Sequence, residues 1–173
     1  YNILSNIREA FYKHLDYFVS QMVDAANSAS RALSHLKVPF LSVFMGGMET
    51  GVDLRDTELQ GTKYNARGCL IYGLSVVADS FIAIDMLLKE RPEDAQRLLI
   101  ALKTNFENDK ELYTYLKNCP KYGNNNKIVD EEAKSIAVKV SKLIKGQKNY
   151  LNNPFRPDWS TPSTHLLYGY WVG

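Results

Sequence analysis

The segment from Gly61 to Ser80 constrains this chain more than any other, because it places small residues, a polar turn and one carboxylate at fixed offsets. It opens with Gly-Thr-Lys-Tyr-Asn-Ala-Arg-Gly and, after four further residues, continues with Gly-Leu-Ser-Val-Val-Ala-Asp-Ser. Asp79 lies among apolar residues at helical spacing, where a carboxylate is costly unless it is paired or accepts hydrogen bonds from backbone amides. We therefore predict that Asp79 is buried and holds the turn at Tyr64 to Gly68.

Three more segments have a comparable turn-like character. They are Pro39-Phe40-Leu41-Ser42 followed by Gly51-Val52-Asp53, then Lys121-Tyr122-Gly123-Asn124-Asn125-Asn126 with Val129-Asp130, and last Phe155-Arg156-Pro157. In order and spacing, the four segments resemble the glycyl radical enzymes of the pyruvate formate-lyase superfamily, which includes dehydratases, carbon-nitrogen lyases and decarboxylases. Each segment alone is a weak signal, because Gly, Asn and Asp occur in any turn. Four in register are a strong signal, and the likeness extends over about residues 35 to 170.

The resemblance implies that this chain is an internal to C-terminal segment of a much longer enzyme. Family members abstract hydrogen with a thiyl Cys in an upstream loop and store the radical on a Gly near the far C-terminus. Gly169 lacks the Arg and Val of that radical loop, so we predict no catalytic residue in this chain. In the full-length protein, the resemblance implies a glycyl radical, no bound organic cofactor, and a radical S-adenosylmethionine activating enzyme as a partner.

Composition narrows the class of protein. A content of 45% hydrophobic and 23% charged residues is typical of a soluble globular protein. The formal charge of +2 comes without a basic stripe, which disfavours nucleic acid, and no apolar run is long enough to cross a membrane. Two distant cysteines without a CxxC motif favour a reducing, cytoplasmic location. His14, His35 and His165 share no metal-ligand spacing, so we predict no metal site.

Apolar periodicity predicts a mainly α chain, a helical segment of a pyruvate formate-lyase-like α/β barrel, with one late strand at Thr164 to Val172. Within the single segment 1–173, we predict a long helix at 1–38, signature loops at 39–70, helices at 71–147, and a Pro-rich loop and strand at 148–173. The predicted inward residues of the first helix are Ile7, Phe11, Leu15, Phe18, Met22 and Ala25. Helical spacing also predicts two later inward faces, one from Leu74 to Leu88 (Leu74, Val77, Ala78, Phe81, Ile84, Leu87 and Leu88) and one from Val129 to Ile144 (Val129, Ala133, Ile136, Ala137, Val140, Leu143 and Ile144). Helix stops are predicted at Arg91-Pro92 and Cys119-Pro120, and Pro154, Pro157 and Pro162 are predicted to break the segment after the last helix. Between them, Leu102 is predicted to face inward and Asn108 to cap a helix.

Four residues are candidates for lining or supporting the radical cavity: Tyr64, Asn65, Asp79 and His165. Each also has a purely structural interpretation, as a turn former, a loop anchor or an ordinary histidine. The remaining polar and sulfur-containing features favour structural roles. Cys69 and Cys119 are predicted to be small buried side chains, and the Asn residues of segment 121–126 to cap the next helix rather than bind calcium.

Two hypotheses about function follow. In the first, the chain is a fragment of a glycyl radical lyase or acyltransferase of anaerobic metabolism, forming scaffold and cavity wall and inactive alone. In the second, it is a self-standing helical binding or scaffold protein that kept the fold without the chemistry. Because an excised segment would expose apolar surface and an unpaired strand, the first hypothesis also predicts self-association.

Overall fold

The computed structural model describes residues 6–56 and 67–160 of the 173-residue chain. These residues form two compact units. Among the described residues, the first unit comprises 6–13, 71–140 and 159–160, and the second comprises 14–56, 67–70 and 141–158. That the chain is one segment of a single larger domain stays a prediction.

The predicted mainly helical character is confirmed. A kinked turn at Val43–Gly47, with non-helical backbone at Met45 and Gly46, joins α2 to α3, and a 3₁₀ turn at Pro92–Asp94 precedes α5. No helix in the described ranges is long and apolar enough to cross a membrane. The regular elements are α1 Ile7–Ser34, α2 Pro39–Ser42, α3 Met48–Thr50, β1 Arg67–Ile71, α4 Leu74–Glu90, α5 Ala95–Lys103, α6 Lys110–Asn118, α7 Lys127–Lys145 and β2 Phe155–Trp159.

The described residues contain a sheet of two parallel strands, β1 and β2, where a single late strand was predicted. The predicted strand at Thr164 to Val172 lies outside the described residues. The prediction that prolines interrupt the chain around residue 157 is wrong, because Pro157 lies inside β2. Both strands of a two-stranded sheet are edge strands, where a proline without an N–H is tolerated. Residues that pair over such a long chain separation leave no local pattern, so this strand pairing could not be predicted from the sequence.

In the first unit, the core forms around Leu87 and Leu112, which have no exposed surface. Ala95, Leu98 and Ala101 pack with them. The predicted inward faces of α4 and α7 are confirmed, with Phe81, Ala133 and Ile136 among the buried residues. The prediction for Leu102 is wrong: it is 56% exposed, and the adjacent Ala101 takes the buried position.

The inward face of α1 differs from the prediction beyond Leu15. Val19 and Val23 are buried, whereas the predicted Phe18 is 62% exposed and Met22 is also exposed. Val19 and Val23 continue the uninterrupted four-residue steps that begin at Ile7. Phe18 and Met22 also fit a helical stripe, so the apolar pattern alone did not distinguish the two faces.

The start of α6 carries a charged network that sequence reasoning missed. Asp109, rather than the predicted Asn108, is the N-cap, and its Oδ1 accepts a hydrogen bond of 3.1 Å from the backbone N–H of Leu112. Arg97 donates to both carboxylate oxygens of Asp109 at 2.6 Å and also to Glu111 at 2.7 Å. Arg97 holds the pKa of the Asp109 carboxyl below its ordinary value. The network thereby links α5 to the first turn of α6.

This network predicts a pH-dependent stability difference between the parent and Asp109→Asn. Because the pKa of Asp109 is lowered in the folded chain, its stabilising contribution is present above the unfolded pKa of about 3.9 and is lost as pH falls through the lower folded pKa. Asn keeps the capping oxygen. We expect the variant to be less stable at about pH 7 and the difference to shrink below about pH 4 in urea melts. A difference that stays constant down to about pH 2 would contradict this account.

Candidate functional site

Asp79, the one predicted site residue within the described ranges, lies in the second turn of α4. Its Oδ1 accepts a hydrogen bond of 2.7 Å from the backbone N–H of Tyr122. The prediction that Asp79 is buried is wrong, because its side chain is partly exposed at the surface of the first unit. The bond joins two of the four signature segments. Gly68 lies in β1 rather than in a turn, and a contact of Asp79 with residues 64–66 stays a prediction.

The segment around Tyr122 also caps the C-terminal end of α6 and the N-terminal end of α7. Lys121 Nζ donates to the carbonyl oxygens of Leu116 at 3.0 Å and Cys119 at 2.8 Å, which are near the C-terminal end of α6. Asn126 Oδ1 accepts a hydrogen bond of 3.1 Å from the N–H of Ile128, so the prediction that an Asn caps the next helix is confirmed. Asp79 therefore anchors a loop whose two ends are both fixed.

An apolar groove of about 350 Å³ lies beside Asp79 between α4, α5 and α6. Its volume is within the range of small-molecule sites. The charged groups at the groove are Asp79, Lys117 and Lys121, and Lys117 Nζ lies 5.8 Å from the centre of the Tyr113 ring. The apolar walls come from all three helices and from the turn between α5 and α6: Ala83, Ile84, Leu98, Leu102, Phe106 and Leu116. Sequence reasoning missed this groove, because it requires knowing how the three helices pack.

A second hydrogen-bonded cluster, in the second unit, explains the spacing between Ser42 and Asp53. Asp53 Oδ2 accepts hydrogen bonds from the N–H of Val38 at 2.8 Å and from Ser42 Oγ at 3.2 Å. Ser42 Oγ in turn accepts from the N–H of Leu54 at 2.8 Å. Although burial acts to raise the pKa of Asp53, hydrogen bonds from the backbone amides of Arg55 and Val38 prevail and lower it. The Asp53 carboxylate thus stabilises the turn by accepting these hydrogen bonds.

The two cysteines are buried side chains, as predicted. Burial raises the pKa of both the Cys69 and the Cys119 thiols. Cys69 Sγ lies 3.8 Å from the sulfur of Met22, and Cys119 Sγ donates to the Tyr115 carbonyl at 3.5 Å. A thiol with a raised pKa is mostly protonated at neutral pH, so neither has the character of a reactive cysteine.

The other candidates lie apart from this site or beyond the described residues. Tyr64, Asn65 and His165 fall outside the described ranges, and so does Gly169. His14 and His35 are exposed. Within residues 6–56 and 67–160, no three His, Cys, Asp or Glu side chains are grouped so that they could hold a metal ion.

Comparison with known proteins identifies the family. The model of the pyruvate formate lyase-like family matches residues 1–169. The chain is 27% identical over 169 residues to trans-4-hydroxy-L-proline dehydratase of Clostridioides difficile, covering 95% of this chain and 21% of that protein. The chain therefore spans about a fifth of the length of this curated relative.

Solved structures agree with that assignment. The hydroxyproline dehydratase of Clostridioides difficile, with trans-4-hydroxy-L-proline bound, matches with a TM-score of 0.81 at 26% identity, over 95% of this chain and 21% of that one. The B12-independent glycerol dehydratase of Clostridium butyricum matches with a TM-score of 0.77 at 27% identity, over 89% and 20%. A glycyl radical enzyme from Archaeoglobus fulgidus matches with a TM-score of 0.76 at 25% identity, over 89% of this chain and 20% of that one. This chain belongs to the pyruvate formate lyase-like family.

The hydrogen bond between Asp79 and Tyr122 predicts a graded loss of stability on substitution. Asp79→Ala leaves the Tyr122 N–H without its partner, and because the bond is at the surface we expect a cost of about 0.5 to 1.5 kcal/mol in the free energy of unfolding. Asp79→Asn keeps an acceptor oxygen and should cost less. Urea melts of both variants test this, with the exposed Glu107→Ala as the control. An Ala variant as stable as the parent would mean that water replaces the bond without loss.

Proposed function

We propose that this chain is a segment of a glycyl radical enzyme of the dehydratase or lyase type, in which it forms helical scaffold and part of the wall of the reaction cavity. One observation carries the proposal: 95% of this chain matches only 21% of trans-4-hydroxy-L-proline dehydratase, at a TM-score of 0.81. The fold of this chain therefore occurs in that enzyme embedded in a polypeptide about five times longer. We also propose that the helices of this chain lie among those that surround the strand barrel of the full-length enzyme.

The geometry supports a scaffold role. The signature carboxylates Asp53 and Asp79 are both occupied by backbone hydrogen bonds, and the two cysteines are buried. Reactive groups of a radical reaction must reach a substrate, whereas the two carboxylates hold loop backbone and the two thiols are buried. The groove beside Asp79 is the candidate stretch of cavity wall, because its apolar surface and few charged groups suit a small polar-headed molecule.

The chemistry itself is assigned to parts of the enzyme outside this chain. The proposed full-length protein carries the thiyl cysteine in an upstream loop and the radical glycine nearer its C-terminus. A radical S-adenosylmethionine activating enzyme is the proposed partner, because a glycyl radical must be generated before catalysis. The proposed location is the cytoplasm, and no organic cofactor stays bound to this segment.

The test compares this chain with the intact polypeptide encoded by its reading frame. Each is incubated anaerobically with an activating enzyme and S-adenosylmethionine, and radicals are detected by electron paramagnetic resonance. We expect a glycyl radical signal from the intact polypeptide and none from residues 1–173. The activated polypeptide is then assayed for dehydration of trans-4-hydroxy-L-proline, glycerol and propane-1,2-diol, which are named for the similar enzymes.

Two outcomes would contradict the proposal. A radical signal from the 173-residue chain itself would mean that Gly169 or another glycine here stores the radical. A reading frame limited to these residues, with no cysteine loop before them and no radical loop after them, would favour the alternative, a self-standing helical binding or scaffold protein.

Self-association of the isolated chain is a further expected result of the proposal. Large side chains such as Phe40, Phe44 and Met48 are 71% to 80% exposed, and exposed apolar surface drives association. Light scattering over a wide concentration range should detect species larger than a monomer. A strict monomer at every concentration would favour the self-standing module.

A further inference from the structure

In the segment from residue 36 to residue 48, a polar side chain is buried and large apolar side chains are exposed. Its buried side chain is Ser42, at 5% exposure, and the large apolar side chains around it point outward. In a folded protein with no partner at this surface, the hydrophobic effect favours the opposite arrangement. Six of the exposed apolar side chains make up what we call the 36–48 patch: Leu36, Phe40, Leu41, Phe44, Met45 and Met48.

The 36–48 patch is held in this conformation by polar contacts. Ser42 Oγ donates to the Val38 carbonyl and accepts from the N–H of Leu54, and Asp53 accepts from the N–H of Val38. Phe40 and Phe44 also pack edge to face, with ring centres 5.2 Å apart. The apolar surface is therefore presented by a braced backbone, as in a preorganised contact surface.

We propose that the 36–48 patch is the docking surface for the part of the same polypeptide that lies outside this chain. This inference rests on the proposed function. About four fifths of trans-4-hydroxy-L-proline dehydratase have no counterpart in this chain, since the match covers 21% of it. That length is ample to cover an apolar surface of six side chains.

The composition of the patch favours a permanent intramolecular contact. Transient interfaces carry charged and polar groups, whereas permanent ones resemble a core cut in half. The Lys37 ammonium beside the patch already bonds Asp56 at 3.0 Å. The rings of phenylalanine and the flexible side chains of methionine carry no charge. They are therefore suited to a contact from which water is excluded.

The experiment measures the oxidation of Met45 and Met48 by a short pulse of hydrogen peroxide, read by mass spectrometry. In the isolated chain, diluted until light scattering detects only the monomer, these side chains are 60% and 78% exposed, so they should react nearly as fast as in the urea-unfolded chain. In the intact polypeptide we expect both to react at least about tenfold more slowly, independently of protein concentration. Met22, which is 39% exposed, serves as the internal reference.

A matched variant gives a second readout. Phe40 is 80% exposed here and its ring contact with Phe44 lies at the surface, so Phe40→Ser should change the urea midpoint of the diluted, monomeric chain only slightly. In the intact polypeptide the same variant should lower the midpoint and speed the oxidation of Met48. The isolated chain thus serves as the control for local folding effects.

The outcomes separate this inference from the proposed function. Equal oxidation rates in the chain and the intact polypeptide would overturn the docking surface, even if the glycyl radical forms. Protection without any radical would support the surface and contradict the function. Protection of the intact polypeptide that rises with concentration would assign the patch to a second copy, and protection already present in the monomeric isolated chain would assign it to a segment of this chain. Either of the last two results would overturn the inference.

Discussion

Leu112→Ala is expected to lower the free energy of unfolding of the first unit by about 2 to 5 kcal/mol. Leu112 has no exposed surface and packs in the cluster of Leu87, Ala95, Leu98 and Ala101. Truncation removes buried apolar groups and leaves a cavity that the surrounding helices fill only in part. Urea melts of the parent and the variant measure the effect.

Leu102→Ala is the matched control for this prediction. It makes the same chemical change on the neighbouring helix α5, but Leu102 is 56% exposed, so we expect a change of at most about 0.5 kcal/mol. The sequence pattern alone assigned Leu102 to the core. Equal losses for the two variants would therefore support the sequence pattern and contradict the observed packing of α5 and α6.

The helices could be predicted because their evidence is local. The apolar spacing in α4 and α7 and the stops at Arg91-Pro92 and Cys119-Pro120 are visible within a few residues, and the structure has all of them. The face of α1 was predicted only as far as Leu15, because two apolar stripes fit the same helix and only tertiary packing chooses between them.

What could not be predicted depends on pairs of distant residues. The observed partner of Asp79 is a backbone N–H 43 residues away, so the unusual carboxylate was noticed but its bond to Tyr122 was not predicted. The pairing of β1 with β2 and the groove beside Asp79 also depend on residues that are far apart in the chain, so neither could be predicted. The order of the four signature segments was informative about the family, because it reflects contacts such as Asp79 with Tyr122 and Ser42 with Asp53.

Gly47→Ala is expected to destabilise the second unit by about 1 to 3 kcal/mol. A Cβ at this position would lie 2.6 Å from the backbone oxygen of Ser42, closer than real Cβ contacts come. Because the neighbouring atom is backbone, it cannot move aside without shifting Ser42, whose hydroxyl bonds Val38 and Leu54. The clash should therefore loosen the hydrogen-bonded brace as well as the helical turn.

Gly68→Ala is the control for this prediction, since a Cβ there meets no atom within 4 Å. Gly46→Ala separates steric clash from backbone strain: its Cβ would also meet nothing, but the φ angle of +94° disfavours any side chain. Urea melts should rank Gly68→Ala as the mildest change. If Gly47→Ala were as mild, the turn at Val43–Gly47 would have to pack differently from the structure, and the backbone that presents the 36–48 patch would no longer be fixed by the Ser42 and Asp53 contacts.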